Sequence, residues 1–206
     1  RPVVVGGAPE SRGVVASASY EARRFGVHSA MPMRTALQRC PQAVRVDGLG
    51  AALYGDVSRR VMDIFREITP LVEGLSLDEA FLDVSDVVTS ELPPSEIAAR
   101  LKQRVKEELG LTISVGVATN KAVAKIASDM GKPDGLTVVL RGEERRFLAP
   151  LAVDKLWGVG PKTAERLRAE GVSTVADLAA RDEEWLRGAF GRTGAHMKRL
   201  ALGRDD

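Results

Sequence analysis

Two carboxylates, Asp78 and Glu79, stand side by side within an otherwise apolar stretch at 75–84. In a regular strand neighbouring side chains point to opposite faces, so one acid would be driven toward the core at a cost on the order of several kcal/mol. At a hairpin tip both can reach one hard cation. Oxygen donors of this kind suit Mg²⁺, which keeps water and substrate phosphates in its remaining positions. A solvated turn is the plainer reading of the same pair. Tyr20, Arg23 and Arg24 fall at i, i+3 and i+4, so a phenol and a guanidinium can face the same way from one short helix. Arginine forms paired hydrogen bonds to phosphate oxygens and a tyrosine hydroxyl adds another donor, although a solvated basic helix would look the same. Lys121 follows Asn120 at the start of a helix, where free backbone N–H groups favour an anion. A lysine opposes the helix dipole there, and a nearby phosphate would account for it. Lys125 and Lys132 extend the basic stretch, as phosphate contacts or as plain surface.

The sequence Leu156-Trp157-Gly158-Val159-Gly160-Pro161-Lys162, followed by a helix over 163–170, is the most specific local signal. Two glycines separated by one apolar residue let a tight turn present backbone N–H groups at a helix start. That geometry holds a DNA phosphate without reading bases, in the manner of a helix-hairpin-helix motif. Lys162 would add a salt-sensitive charge contact. An ordinary turn with a helix-terminating glycine is the alternative. His28 and His196 have no Cys, His or acidic partners at metal-ligand spacing, and Cys40, at a helix end before Pro41, reads as packing.

These residues need elements to position them. Residues 2–7 and 12–19 read as short strands of a small hairpin, 20–25 as a brief helix ended by Gly26, and 32–39 as a second helix closed by Pro41. The pieces look too small to enclose a core alone, and 2–7 suits a connector. Leu53, Val57, Val61, Ile64, Phe65 and Ile68 then recur at helical spacing until Pro70. Strands are expected at 71–75 and 80–84, with Ser76, Leu77, Asp78 and Glu79 at the tip between them. A helix from 94 carries Ile97, Leu101, Val105 and Leu109 on one face, and a strand at 112–118, a helix at 120–129 and a strand at 136–140 complete the series. With one more strand in front, the first five of these elements form β-α-β-β-α-β, the ferredoxin-like plan. That strand is not evident and is expected to be absent from this sequence. After Arg141 short helices punctuated by glycine suggest a second, all-helical domain. The fold class is therefore α+β.

With 206 residues, 44% of them apolar and 28% charged, the chain reads as globular and can bury a real core, which excludes disorder, collagen and coiled coil. No run approaches the ~18–20 apolar residues that span a bilayer, and no secretory signal pattern opens the chain. A single cysteine allows no internal disulfide and fits a reducing compartment, so a cytoplasmic location is expected. Thirty Lys+Arg against 28 Asp+Glu leave +2, a weak lean toward polyanions. Aromatics at 4% leave few rings for base stacking, so nucleic acid would be gripped by phosphate.

The stretch 14–27 (with Ser17, Tyr20, Arg23 and Gly26), then Ser76-Leu77-Asp78-Glu79-Ala80-Phe81-Leu82-Asp83, then Asn120-Lys121 through Asp129, then the glycine hairpin, together closely resemble the Y-family DNA polymerases of the DNA polymerase IV type. The resemblance covers nearly the whole chain. It implies a connector and fingers at 1–50, a ferredoxin-like palm at 51–141 and a thumb with the helix-hairpin-helix at 142–206. It implies low-fidelity, template-directed translesion synthesis by two-metal nucleotidyl transfer, with two Mg²⁺ ions. Asp78 would be a metal ligand and Glu79 the metal-binding carboxylate beside the primer 3′-hydroxyl. Ala16, Ser17, Tyr20, Arg23 and Lys121 would contact the nucleotide, Ala16 as part of a small-residue roof over the nascent base pair. Gly158, Val159, Gly160 and Lys162 would lie near the DNA backbone. Primer-template DNA and deoxynucleoside triphosphates are the implied partners, with a sliding clamp engaged through a region outside this sequence, no membrane, and a monomeric state. Family members open with a strand carrying another metal-binding aspartate and end in a little-finger domain. Neither is present here, so the segment alone is expected to be catalytically impaired. A palm-type nucleotidyl cyclase or a non-catalytic DNA-binding relative would share part of the same plan.

Overall fold

The computed structural model describes residues 1–48 and 50–205, in two compact units, 1–59 and 60–206. In the first unit β1 (Val3–Gly6) pairs antiparallel with β2 (Val15–Ala18) and parallel with β3 (Val44–Val46), so the sheet order is β2-β1-β3. The helices α1 (Tyr20–Arg23) and α2 (Met33–Arg39) complete it. Val4, Val15, Ala22, Val27, Met33, Ala36 and Cys40 are all buried in one cluster. Two expectations are thereby corrected. Residues 2–7 do more than connect, since β1 is the central strand with both of its edges hydrogen-bonded. The small pieces do enclose a core, because β1, β2, the two helices and the loops joining them supply apolar side chains to one cluster. The strand β3 escapes sequence reading: it is three residues long, and Val44 and Val46 point outward.

The long helix α3 (Ala51–Ile68) runs into the second unit, where Met62, Ile64 and Phe65 are buried. It ends at Thr69, the one buried polar residue among those described. The Thr69 hydroxyl donates to the Asp83 carbonyl at 2.8 Å and accepts from the Leu71 N–H at 3.2 Å, fixing where the next hairpin starts and ends. That hairpin is β4 (Val72–Gly74) and β5 (Ala80–Leu82), antiparallel, with Val72 opposite Leu82 and Glu73 opposite Phe81. Then follow α4 (Pro94–Leu109), β6 (Val115–Val117), α5 (Lys121–Met130) and β7 (Leu136–Val138), with β6 and β7 parallel. The order helix, strand, strand, helix, strand, helix, strand is the expected one. Among the described residues the strands form two separate ladders, β4–β5 and β6–β7, rather than one continuous sheet.

The close seat of α5 on β6 depends on Gly116. A Cβ there would stand 2.0 Å from the Ala124 carbonyl oxygen and 2.5 Å from the Ser128 nitrogen. Only a bare Cα lets the helix backbone lie so near the strand. The inward face of α5, Ala122, Val123, Ile126 and Ala127, joins the same apolar cluster as the helices that follow: α6 (Glu144–Leu148), α7 (Pro161–Ala169), α8 (Val175–Ala180), α9 (Glu183–Phe190) and α10 (Arg192–Ala201). A capping box, Thr174 with Asp177, starts α8, and Asp182 caps α9. Cations close the other ends. Arg181 donates to the Glu170 carbonyl after α7, Arg166 to Ala189 in α9 at 3.0 Å, and Lys198 to Ala179 in α8 at 3.1 Å. Each satisfies a carbonyl that the helix leaves open and opposes the negative end of its dipole.

Gly116→Ala is therefore expected to destabilise the protein by about 3 kcal/mol through overpacking, lowering Tm on the order of 6–12 °C in a thermal melt. An unchanged Tm would mean that α5 can lift off β6 without loss.

Candidate functional site

Alternation along β4 and β5 sorts their side chains. Val72, Ala80 and Leu82 pack into the cluster with α3 and α4, so the opposed pair Glu73 and Phe81 stands on the other face. The Leu75 N–H donates to the Glu79 carbonyl at 2.8 Å, which carries the pairing one step beyond the strands and keeps Glu79 in register with that outer face. Asp78 lies in the bend between the strands, as the sequence suggested. Helix α5 presents Lys121 and Lys125, one turn apart on the side away from its apolar face. Lys121 pairs with Glu73, and Lys125 Nζ lies 2.5 Å from Glu79 Oε1. Two ion pairs thus run in parallel between helix and hairpin. Lys132 adds a bond to Asp129 at 2.7 Å and stands 3.9 Å from Glu79.

The adjacent acids have different partners. Asp78 Oδ1 accepts from the Ser76 hydroxyl at 2.7 Å, within the turn, while Glu79 reaches across to α5. The Glu73 hydrogen bond raises the Lys121 pKa above the usual lysine value. Burial works to lower that of Lys125, but the hydrogen bonds to Glu79 and Asp129 outweigh it and leave the value raised. Burial likewise works to raise the Asp129 pKa, and Lys132 and Lys125 outweigh it, leaving the carboxyl lowered.

The start of α5 departs from expectation. Two of its first N–H groups already have side-chain acceptors: Asn120 Oδ1 accepts from the Val123 N–H at 3.0 Å and the Asp205 carboxylate from the Ala122 N–H at 2.9 Å. The Asn120 amide donates to the Gly203 carbonyl at 2.9 Å, so the last turn of the chain folds over this helix start. The Asp205 carboxylate at this helix start also offsets a lysine placed against the dipole. Beyond Glu73, Lys121 Nζ lies 5.9 Å from the Phe81 ring centroid, and Phe81 meets Trp157 edge-to-face at 5.8 Å and 65°.

In the glycine hairpin, Gly158 has φ +84°, a conformation that disfavours any side chain, and a Cβ there would point into open space. Gly160 caps α7 with no side-chain acceptor and also faces open space, so nothing in the packing demands its lack of a side chain. Lys162 is exposed in the first turn. Val159 differs: its side chain is buried and its N–H donates to the Leu156 carbonyl at 3.0 Å, so it anchors the turn inward.

In the first unit the register shifts between Val5 and Gly6, leaving Ala16 as the extra residue of a β-bulge. Such bulges re-aim side chains. Ala16 and Ser17 are accordingly both exposed, between buried Val15 and Ala18. Ser19 caps α1, accepting from the Ala22 N–H at 3.3 Å. Arg23 Nε donates to the Ala18 carbonyl at 3.0 Å, and its guanidinium carbon lies 5.9 Å from the Tyr20 ring centroid. The shared direction expected for Tyr20 and Arg23 is thus present. His28 and His196 are exposed and Cys40 is buried. Among the described residues no three His, Cys, Asp or Glu side chains converge to hold a metal ion by themselves. Asp78 and Glu79 offer hard oxygen donors of the kind that bind Mg²⁺ together with substrate phosphates.

Residues 1–129 match the family model described as the impB/mucB/samB family. The chain belongs to the impB/mucB/samB family. Residues 141–172 match the helix-hairpin-helix motif described for the IMS family. Similar relatives of this impB/mucB/samB chain include DNA polymerase IV of Desulfatibacillum aliphaticivorans, 48% identical over 99% of this chain and 51% of the relative. DNA polymerase IV of Alkalilimnicola ehrlichii is 49% identical over 100% of this chain and 58% of its own. The chain thus spans somewhat more than half the length of these curated relatives. Among solved structures, DinB from Sulfolobus solfataricus superposes with a TM-score of 0.91 at 34% identity, over 100% of this chain and 61% of that one. An insertion ternary complex of Dbh DNA polymerase gives 0.89 at 33% identity, over 100% and 61%. The resemblance to Y-family polymerases of the DNA polymerase IV type, and the α+β class with a helix-hairpin-helix, are borne out.

The residues around Lys125 set a pH dependence. The lowered Asp129 carboxyl contributes stability that is full above its ordinary value of about 3.9 and is lost as pH falls through the lowered value. The raised Lys125 amine contributes stability that is full below about 10.4 and is lost as pH rises through the raised value. Asp129→Asn is expected to lower Tm at pH 7 and to flatten its fall below about pH 4. Melting curves of the two proteins that stay parallel across the acid range would contradict this.

Proposed function

We propose that this chain forms the catalytic part of a low-fidelity, template-directed translesion DNA polymerase, adding deoxynucleotides to a primer 3′-hydroxyl. The observation that carries the reading is the hairpin tip that offers Asp78 and Glu79 beside two lysines of α5. In this reading residues 1–50 are connector and fingers, 51–141 the palm, and 142–206 the thumb.

Phosphoryl transfer asks a protein chiefly for positioning and charge neutralisation. Asp78 and Glu79 would supply two of the carboxylates that hold two Mg²⁺ ions with the incoming triphosphate, the further aspartate implied by the family resemblance coming from the full-length protein, so the segment alone would be impaired. Ions held there would supply activation of the hydroxyl and stabilisation of the departing pyrophosphate. To serve, Glu79 exchanges Lys125 for the metal site, and Lys121 exchanges Glu73 for a triphosphate oxygen. Lys125 keeps Asp129 when Glu79 leaves it, and Glu73, half exposed, returns to water when Lys121 leaves it. Ser17 and Tyr20 donate hydroxyl hydrogen bonds to the triphosphate and Arg23 grips it with a planar fork. Exposed Ala16 leaves room above a bulky template base. Gly158, Gly160 and Lys162 meet the DNA backbone without reading bases, and Val159 supports the turn from inside. Primer-template DNA and deoxynucleoside triphosphates are the partners, a sliding clamp is a further one in the full-length protein, and the enzyme acts as a cytoplasmic monomer. No helix among the described residues is long and apolar enough to cross a membrane.

Primer extension by the full-length protein tests this. Asp78→Ala and Glu79→Ala are each expected to lower incorporation by about 10²–10³-fold or more, the scale of losing one transition-state charge contact, with DNA affinity nearly intact. Normal extension by either variant would dismiss the polymerase reading, as would a wild-type protein that extends no primer. Lys162→Ala is expected to weaken DNA binding equally across sequences and to reduce the slope of log K against log salt by about 1. An unaltered slope would remove Lys162 from the DNA contact.

A further inference from the structure

Trp157 has no role in the assignments above, and its setting is unusual. Its neighbours Leu156 and Val159 are buried, yet Trp157 is 37% exposed. Its ring leaves the core of the helical region and lies edge-to-face on Phe81, 5.8 Å between centroids. Phe81 projects from the outer face of the carboxylate hairpin, two residues beyond Glu79 and directly opposite Glu73. Lys121 Nζ sits 5.9 Å from the same ring, within reach of a cation–π attraction. Trp157 is also joined covalently to Gly158, whose φ of +84° makes the turn. Three segments distant in sequence therefore meet through one aromatic pair: the DNA-backbone loop, the carboxylate strand and the lysine-bearing helix.

We propose that Trp157 and Phe81 are positioning residues that hold the Lys121 ammonium for the incoming triphosphate and link its placement to the glycine hairpin. The proposal rests on the polymerase reading and adds to it a nucleotide-affinity role for two residues that touch neither metal nor phosphate. Lys121 leaves Glu73 when it takes a triphosphate oxygen. The Phe81 ring stays beside it in both states, limiting where a flexible four-carbon stem can carry the charge. Trp157 packs that ring from the thumb side, so a shift of the hairpin moves the ring, and the ring moves the ammonium.

The test is steady-state nucleotide incorporation by the full-length protein on a primer-template, with DNA affinity measured separately. Trp157→Ala is expected to raise KM for the nucleotide about 3- to 10-fold, the range of a lost aromatic pair, with kcat and DNA Kd changed less than about twofold. Trp157→Phe should restore most of the loss. In a Lys121→Ala background, Trp157→Ala should add nothing, because the group it positions is gone. An unchanged KM, an equal rise in both backgrounds, or a parallel loss of DNA affinity would each overturn the proposal. Absence of extension by the wild type would instead refute the polymerase reading itself. If Trp157→Ala fails to fold, Trp185→Phe leaves Trp157 as the single indole of the chain. Its emission should then change on addition of inorganic tripolyphosphate and stay constant when Lys121→Ala is also present. Constant emission in both proteins would overturn the proposal.

Discussion

The bare Cα of Gly116 sets the depth at which α5 rests on β6, and the geometry of the candidate site follows from that depth. With its small and branched residues pressed inward, the helix turns Lys121 and Lys125 toward the hairpin at the spacing of Glu73 and Glu79. A helix held farther out by one methyl group would carry both amines away from both acids. A residue without a side chain thus governs four that carry charge. Thr69 plays the matching part on the hairpin side by tying the start of β4 to the end of β5.

The resulting pairs explain how so many ionisable groups sit together in a protein of nearly balanced charge. Lys121, suited to a phosphate, already has a carboxylate, and Glu79, suited to a metal, already has an amine. Partner exchange between such groups costs less than stripping water from an isolated ion. The arrangement also separates the two adjacent acids: Asp78 is kept near the turn by Ser76 and Glu79 is drawn to α5.

Much of this was legible in the sequence for identifiable reasons. The apolar period before Pro70 marked α3, the interval between two short apolar runs placed Asp78 and Glu79 at a tip, and the spacing of Tyr20 and Arg23 foretold their common direction. The glycine hairpin before Pro161 was visible because positive φ and a helix start need particular residue types. What could not be read depends on contacts distant along the chain. Nothing local links Glu73 to Lys121, Phe81 to Trp157, or Asp205 to the first turn of α5. The central role of β1 was hidden for the same reason, since one of its partners lies about forty residues away. The inward direction of the Val159 side chain was not legible either, because a residue between two glycines in a surface turn can point either way.

The cationic side chains that close α7, α8 and α9 change the meaning of the basic composition of the helical region. Arg166, Arg181 and Lys198 are committed to carbonyl groups of neighbouring helices and serve as struts of the bundle. A count of arginines and lysines therefore overstates how many donors this region leaves free to grip a phosphate directly, since these three already spend theirs inside the protein.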